Sequence, residues 1–207
     1  MRKTYFISKI LDRFHRGWLT SFSLAGQRTE LPYSTKVVLI KNLKDGQLIR
    51  VEENNIRGEI VKIPFLFSNF GQHQSYLSKN KINYSKLRLK LRKKDGLLLL
   101  GDKKYRCVVD ENITNGDYLI KFPLPKLNLD PKLTNETSGG SRFANTWFPI
   151  TRRDDRSMGR FLHFGSFSKG CITVRFDEDM NSIWSEIYLK IILARMNNNT
   201  LASLRVS

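Results

Sequence analysis

Residues 159–175 read GRFLHFGSFSKGCITVR, and no other stretch of the chain carries so much chemistry in so few positions. Phe161 and Leu162 lie before its centre, and Ile172 and Val174 after it. Apolar residues around a glycine- and serine-rich middle predict strand, tight loop, strand. Gly165, Ser166, Ser168 and Gly170 are small enough for the backbone to turn sharply and to approach a ligand. The stretch holds one of the chain's three histidines, His163, and one of its two cysteines, Cys171. A strand–loop–strand unit can bring that imidazole and thiol together at the top of a sheet.

A thiolate is a nucleophile, and a neighbouring histidine activates it. Amide groups in the turn Ser168-Lys169-Gly170-Cys171 could face an oxyanion, and the Lys169 charge would favour thiolate. A plainer description fits the same residues. A single cysteine is often a small buried hydrophobe, and a nearby histidine a satisfied core group. Spacing alone does not choose between the two.

The run Ser168-Lys169-Gly170-Cys171-Ile172, after a histidine that ends an apolar strand, resembles the L,D-transpeptidase (YkuD-like) catalytic domain. That signature is a histidine, a spacer, then Ser/Thr-His-Gly-Cys, an apolar residue, and Arg or Asn. The resemblance implies a mainly β fold, an L,D-transpeptidase-like β-sandwich. It implies Cys171 as nucleophile and His163 as base, acting on peptidoglycan stem peptides through a thioester, with transfer to an amine or hydrolysis by water. Lys169 stands where the signature has a second histidine, and Thr173 where it has Arg or Asn. The short His–Cys spacer is similar to the divergent branch of type VI secretion effectors. That branch implies a secretion apparatus or an immunity protein as further partners. The motif covers Leu162 to Thr173, and a looser likeness runs from about Leu97 to Arg195.

With 36 Lys and Arg against 19 Asp and Glu, the net charge of +17 points to an anionic partner or surface. A second reading follows: a non-catalytic basic module for cell wall or nucleic acid. No recognised nucleic-acid motif supports a nucleic-acid partner. Two cysteines in unlike contexts do not make a disulfide framework. Three scattered histidines give no metal-ligand set, and no cofactor is expected.

Residues 1–24 place Phe6, Ile7, Ile10, Leu11, Phe14 and Trp18 at helical spacing, with Arg and Lys elsewhere. This predicts a basic amphipathic helix. Without a continuous apolar core or a small-residue cleavage site it does not read as a Sec signal peptide, although the wall or periplasm is the implied site of action. A linker is expected to follow, so that residues 1–33 precede a domain of residues 34–207. Strands are expected at Lys36–Ile40, Gln47–Val51 and Glu59–Phe67, with His73 in a loop. Leu87–Leu91 alternates as a half-buried strand, and Leu97–Leu100 with Tyr105–Val109 forms a hairpin. Asn115–Lys121 reads as a turn entering a strand, similar to the segment before the family's substrate cleft. Residues 123–137 predict a long binding loop and residues 138–142 a flexible stretch. Trp147 either walls a substrate groove or packs in the core. Of the arginines at 152, 153, 156 and 160, Arg160 is best placed to bind a stem-peptide carboxylate. A C-terminal helix is expected over Ser182–Met196.

Overall fold

A computed structural model describes residues 3–67, 73–152, 159–166, 169–176 and 183–207. The chain forms two compact units, Met1–Asn83 and Tyr84–Ser207.

The first unit is built from β1 (Thr4–Ile7), β2 (Trp18–Ser23), β3 (Arg28–Pro32), β4 (Lys36–Leu43), β5 (Gly46–Val51), β6 (Ile60–Pro64), β7 (Leu66–Phe67), β8 (His73–Gln74) and β9 (Leu77–Ser78). Seven of these make one antiparallel sheet in the order β3-β2-β6-β5-β4-β1-β9, and β7 pairs with β8. Its core gathers Ile7, Ile10, Leu19, Leu31, Val37, Ile49, Val61 and Ile63. His73, expected in a loop, pairs with Phe67 as a strand residue.

The N-terminal helix is therefore a wrong expectation. Phe6, Ile7, Ile10 and Trp18 are buried, but Phe14, which the helical stripe requires inside, is 94% exposed. Lys9, Arg16 and Gly17 have left-handed backbones, which no helix continues through. The Asp12 carboxylate accepts the amides of Phe14 and His15, each at 2.8 Å. The same carboxylate meets His15 Nδ1, while His15 Nε2 lies 2.9 Å from the Tyr76 hydroxyl. That clasp closes a turn between β1 and β2. Thr4, Tyr5 and Phe6 pair with Val38, Val37 and Lys36, so distant strand contacts override local periodicity. The expected linker is largely the β2–β3 hairpin. The first compact unit runs to Asn83.

The second unit holds β10 (Leu87–Arg92), β11 (Leu97–Leu100), β12 (Lys103–Val109), β13 (Gly116–Lys121), β14 (Leu124–Pro125), β15 (Thr146–Arg152), β16 (Phe161–Gly165), β17 (Ile172–Arg175) and β18 (Thr200–Val206). Neighbours run β13-β18-β10-β11-β12-β17-β16-β15, and β15 pairs back to β13. These strands close an eight-stranded barrel, with β14 on its margin. Only β10–β18 and β16–β17 are parallel. The fold is mainly β.

Register and alternation separate two faces. Leu89, Leu91, Leu98, Tyr105, Cys107, Val174, Phe164, Leu162, Phe148, Ile150, Ile120, Tyr118 and Leu204 are all buried. Directly paired positions such as Cys107 and Val174, Phe164 and Val174, Phe148 and Leu162, and Ile120 and Ile150 fall in this set, which is the barrel interior. Helix α2 (Ile183–Ile192) packs Trp184 and Tyr188 against Phe148. Glu186 in its first turn and Lys190 in its last suit the helix dipole. The expected cap, Ser182, lies outside the described residues. The chain does not end on this helix. Strand β18 follows and sits between β13 and β10.

The stretch after β14 is ordered by two short helical turns. Helix α1 (Pro131–Thr134) is capped by Asp130, and a 3-10 turn spans Glu136–Ser138. Residues expected to be flexible are pinned here: the Ser141 amide bonds the Leu133 carbonyl at 2.8 Å, and Ser141 is fully buried. Among the described residues no helix is long and apolar enough to cross a membrane.

Candidate active site

Within the stretch 159–175, β16 and β17 are parallel neighbours in register from Leu162–Ile172 to Gly165–Arg175. The connection, residues 166–171, must carry the chain back three strand positions, about 10 Å. Six residues span that distance, so the usual crossover helix is not needed. The return sets Cys171 one residue ahead of β17.

His163 pairs with Thr173 across the two strands. By alternation His163, Thr173 and Cys171 share the outward face of the barrel, opposite Leu162 and Ile172. The ladder runs on to Cys171, whose carbonyl accepts the Asp110 amide at 3.1 Å. His163 and Cys171 are thus diagonal neighbours on one face, a spacing of about 7–8 Å between Cα atoms that an imidazole can span. Both are buried although they point outward, His163 at 2% and Cys171 at 3% exposure.

Each ring nitrogen of His163 is engaged. Nδ1 lies 3.0 Å from the Phe164 carbonyl and Nε2 3.2 Å from Thr173 Oγ1. A carbonyl only accepts, so Nδ1 carries the proton and Nε2 is the basic nitrogen, accepting from the threonine hydroxyl. Trp147 stacks on the imidazole at 3.9 Å between centroids, with the ring planes nearly parallel. Trp147 thus covers one face of the His163 ring. Lys126 Nζ lies 4.9 Å from the Trp147 ring centre. Burial pushes the His163 pKa below its usual value; the bond it donates to the Phe164 carbonyl opposes this, and the Lys126 charge adds to it. The imidazole is neutral at neutral pH.

Gly165 leaves room above the ring. A Cβ there would sit 3.7 Å from His163 Nδ1 and 3.9 Å from the Thr173 methyl. Ser166 and Lys169 are exposed beside it. Gly170 has φ +77°, a left-handed backbone that favours glycine. The Gly170 amide is taken by the Asp110 carboxylate, whose pKa is lowered by this bond first and by the Asn112 amide second. The Gly170 amide thus faces the Asp110 carboxylate. The Cys171 amide has no hydrogen-bond partner among the described residues and remains the available donor. Ser168, Arg153 and Arg156 lie outside the described residues. Arg160 is half-buried, and its carbonyl accepts the Ile150 amide at 2.9 Å, which ties it to the strand behind His163.

Three contributors escaped the sequence reading: Asp110 as an anchor, Lys126 as a nearby cation, and Thr173 as a histidine partner. Asp110 ends a strand and begins an Asp-Glu-Asn turn, which signals only a turn. It clamps the Cys171 turn from both sides, through its own amide and its carboxylate. Replacing it by Ala should loosen that turn and raise the rate of Cys171 alkylation by iodoacetamide several-fold. Asp110→Asn, which keeps an oxygen acceptor, should change the rate far less. Timed mass spectrometry of the alkylated chain reads this. Equal rates in all three proteins would mean the clamp is idle.

The second thiol behaves differently. Cys107 faces the barrel interior, and burial pushes its pKa up to about 12. Both cysteines are free and on opposite faces, so no bridge consumes Cys171.

Comparison of the chain with protein-family models, with curated proteins and with solved structures finds no match.

Proposed function

We propose that the protein is a cysteine acyltransferase of the L,D-transpeptidase type, acting as transpeptidase or carboxypeptidase on peptidoglycan stem peptides. What supports this is the register of β16 and β17, from which Cys171 and His163 fall on one face, together with a histidine tautomer that leaves Nε2 as the base. The closed barrel stands, in this reading, where the resemblance leads one to expect a sandwich.

The Cys171 thiol gives its proton to His163 Nε2 as the sulfur bonds to the carbonyl carbon of the L,D-peptide bond. The oxyanion so formed faces the Cys171 amide. The C–N bond breaks, and the departing amine of the terminal D-residue takes the proton back from Nε2. The thioester then passes to an amine, forming a crosslink, or to water, trimming the stem. Because His163 is neutral at rest, it acts as a general base. Thr173 holds Nε2 in position until the thiol proton is transferred. No cofactor enters these steps.

Two buried polar atoms favour a peptide substrate. Trp147 Nε1 and Asn145 Oδ1 have no hydrogen-bond partner among the described residues. Leaving such groups unpaired costs about 1–3 kcal/mol each, which a peptide's own amide and carbonyl would relieve. Arg160 and Lys126 are the cations placed to meet a stem carboxylate.

Tetrapeptide-bearing muropeptides incubated with the wild-type chain should lose or exchange their terminal D-alanine, read by mass spectrometry. Cys171→Ala should abolish the change and Cys107→Ala should not. Unchanged muropeptides with a folded wild-type protein and a free Cys171 thiol would move the assignment to a wall-binding module without catalysis.

A further inference from the structure

Away from Cys171, the barrel turns a cationic sheet outward. On β18, β10, β11 and β12 the buried interior positions are mostly apolar, and the outward ones include Arg205, Arg88, Lys90, Arg92, Lys104 and Arg106, all exposed. Lys90 pairs with Arg205 on one side and Leu99 on the other, and Leu99 pairs with Lys104. One row across the sheet therefore reads Arg205, Lys90, Leu99, Lys104. The next reads Arg92, Leu97, Arg106, and Arg88 lies beside Ser203. Successive cations on one strand stand about 6.7 Å apart, and adjacent strands about 4.8 Å.

Like charges paired directly, as Arg205 and Lys90 are, work against the sheet. Folding does not account for them. Asp117 meets Arg205 at 2.8 Å and Asp95 meets Arg92 at 3.8 Å. Arg88, Lys90, Lys104 and Arg106 have no ion-pair partner among the described residues. The face is a grid of cations with few counter-charges.

We propose that this face docks a linear polyphosphodiester that carries no bases, of the poly(glycerol phosphate) type. A flexible chain with one anion per short repeat can follow rows of single cations over a convex surface. The outward positions of these four strands hold no Phe, Tyr or Trp. Proteins that bind single-stranded nucleic acid stack the bases on such rings. Leu97 and Leu99 sit half-buried between longer cationic side chains, so no apolar group projects toward a bilayer. This inference uses neither Cys171 nor His163 and stands apart from the catalytic reading.

The test is binding of fluorescein-labelled poly(glycerol phosphate) to the full chain, by anisotropy over a salt series. Affinity should fall with salt. The combined change Arg88→Gln, Lys90→Gln and Arg106→Gln should weaken binding about tenfold or more and flatten the log–log salt slope by about 2, from about 0.7 per neutralised phosphate. Lys41→Gln, Lys44→Gln and Arg57→Gln together remove the same charge from exposed positions of the first unit. That control should stay close to wild type, and so should Cys171→Ala. Equal weakening by both triple variants would overturn the proposal in favour of net charge alone. Tighter binding of single-stranded DNA with as many phosphates, or of phosphatidylglycerol vesicles, would overturn the choice of partner.

Discussion

His163→Gln is expected to lower the rate of acyl transfer by about 10²–10⁴-fold, the usual range for a positioned general base. Glutamine can still meet the Phe164 carbonyl but cannot take the thiol proton. The same histidine should set the acid limb of the wild-type pH profile. Its active form is the neutral imidazole, and activity is lost as protonation sets in. Burial holds the pKa below the usual 6.5, so the limb in kcat/KM should fall below that pH. Lys126 adds a repulsive charge in the same direction. Lys126→Gln should therefore move the limb to higher pH, toward 6.5, while leaving the neutral-pH plateau in kcat largely in place. A limb above 6.5 that ignores Lys126 would remove His163 from the role of base. The protonation also bears on stability. A histidine buried neutral binds fewer protons than in the unfolded chain, so acid below its ordinary pKa should destabilise the barrel.

The largest stability effect should come from Trp184→Ala. This indole is fully buried, and its Nε1–H donates to the Phe143 carbonyl at 2.9 Å. It packs on Phe148 and Phe164, which come from neighbouring strands of the barrel. Deleting a buried aromatic ring costs about 3–5 kcal/mol through lost transfer energy and the cavity left behind. The Phe143 carbonyl still accepts the Thr146 amide at 2.9 Å, so the cavity and not an unpaired carbonyl sets the cost. Trp184→Phe keeps much of the volume and loses the donor, and should cost less. Native-state hydrogen exchange of amides in β15 and β16, followed with denaturant, reads the change where it occurs. A loss of under about 1 kcal/mol for the alanine variant would mean that the helix is not the closure of this core.

Most strands of the second unit were legible because their signals are local. The Leu-Arg-Leu-Lys-Leu alternation at 87–91 and the turn at Asp95-Gly96 carry their structure in adjacent residues. Helix α2 was legible for the same reason. The first unit misled at residues 1–24, where apolar residues at positions 6, 7, 10, 14 and 18 fit helical spacing by coincidence. The Asp12 clasp and the pairing of β1 with β4 decide that segment, and the second of these depends on residues about thirty positions away. Strand β18 went unread because its partners, β10 and β13, are both remote in sequence.

The sequence by itself determined which residues could do chemistry here: one thiol and one imidazole around a loop of small residues, within a chain of strong positive charge. The left-handed backbone at Gly170 came with the structure. Only the tertiary structure decided that the two strands run parallel, which places His163 and Cys171 on one face. It alone set Thr173 on Nε2, Trp147 against the ring and Asp110 on the Gly170 amide. It also gathered cations from three strands into one grid. The physical reason is common to all of these. Composition and periodicity act over a few residues, whereas a side chain's protonation, burial and partners come from whichever distant strand the ladder brings beside it.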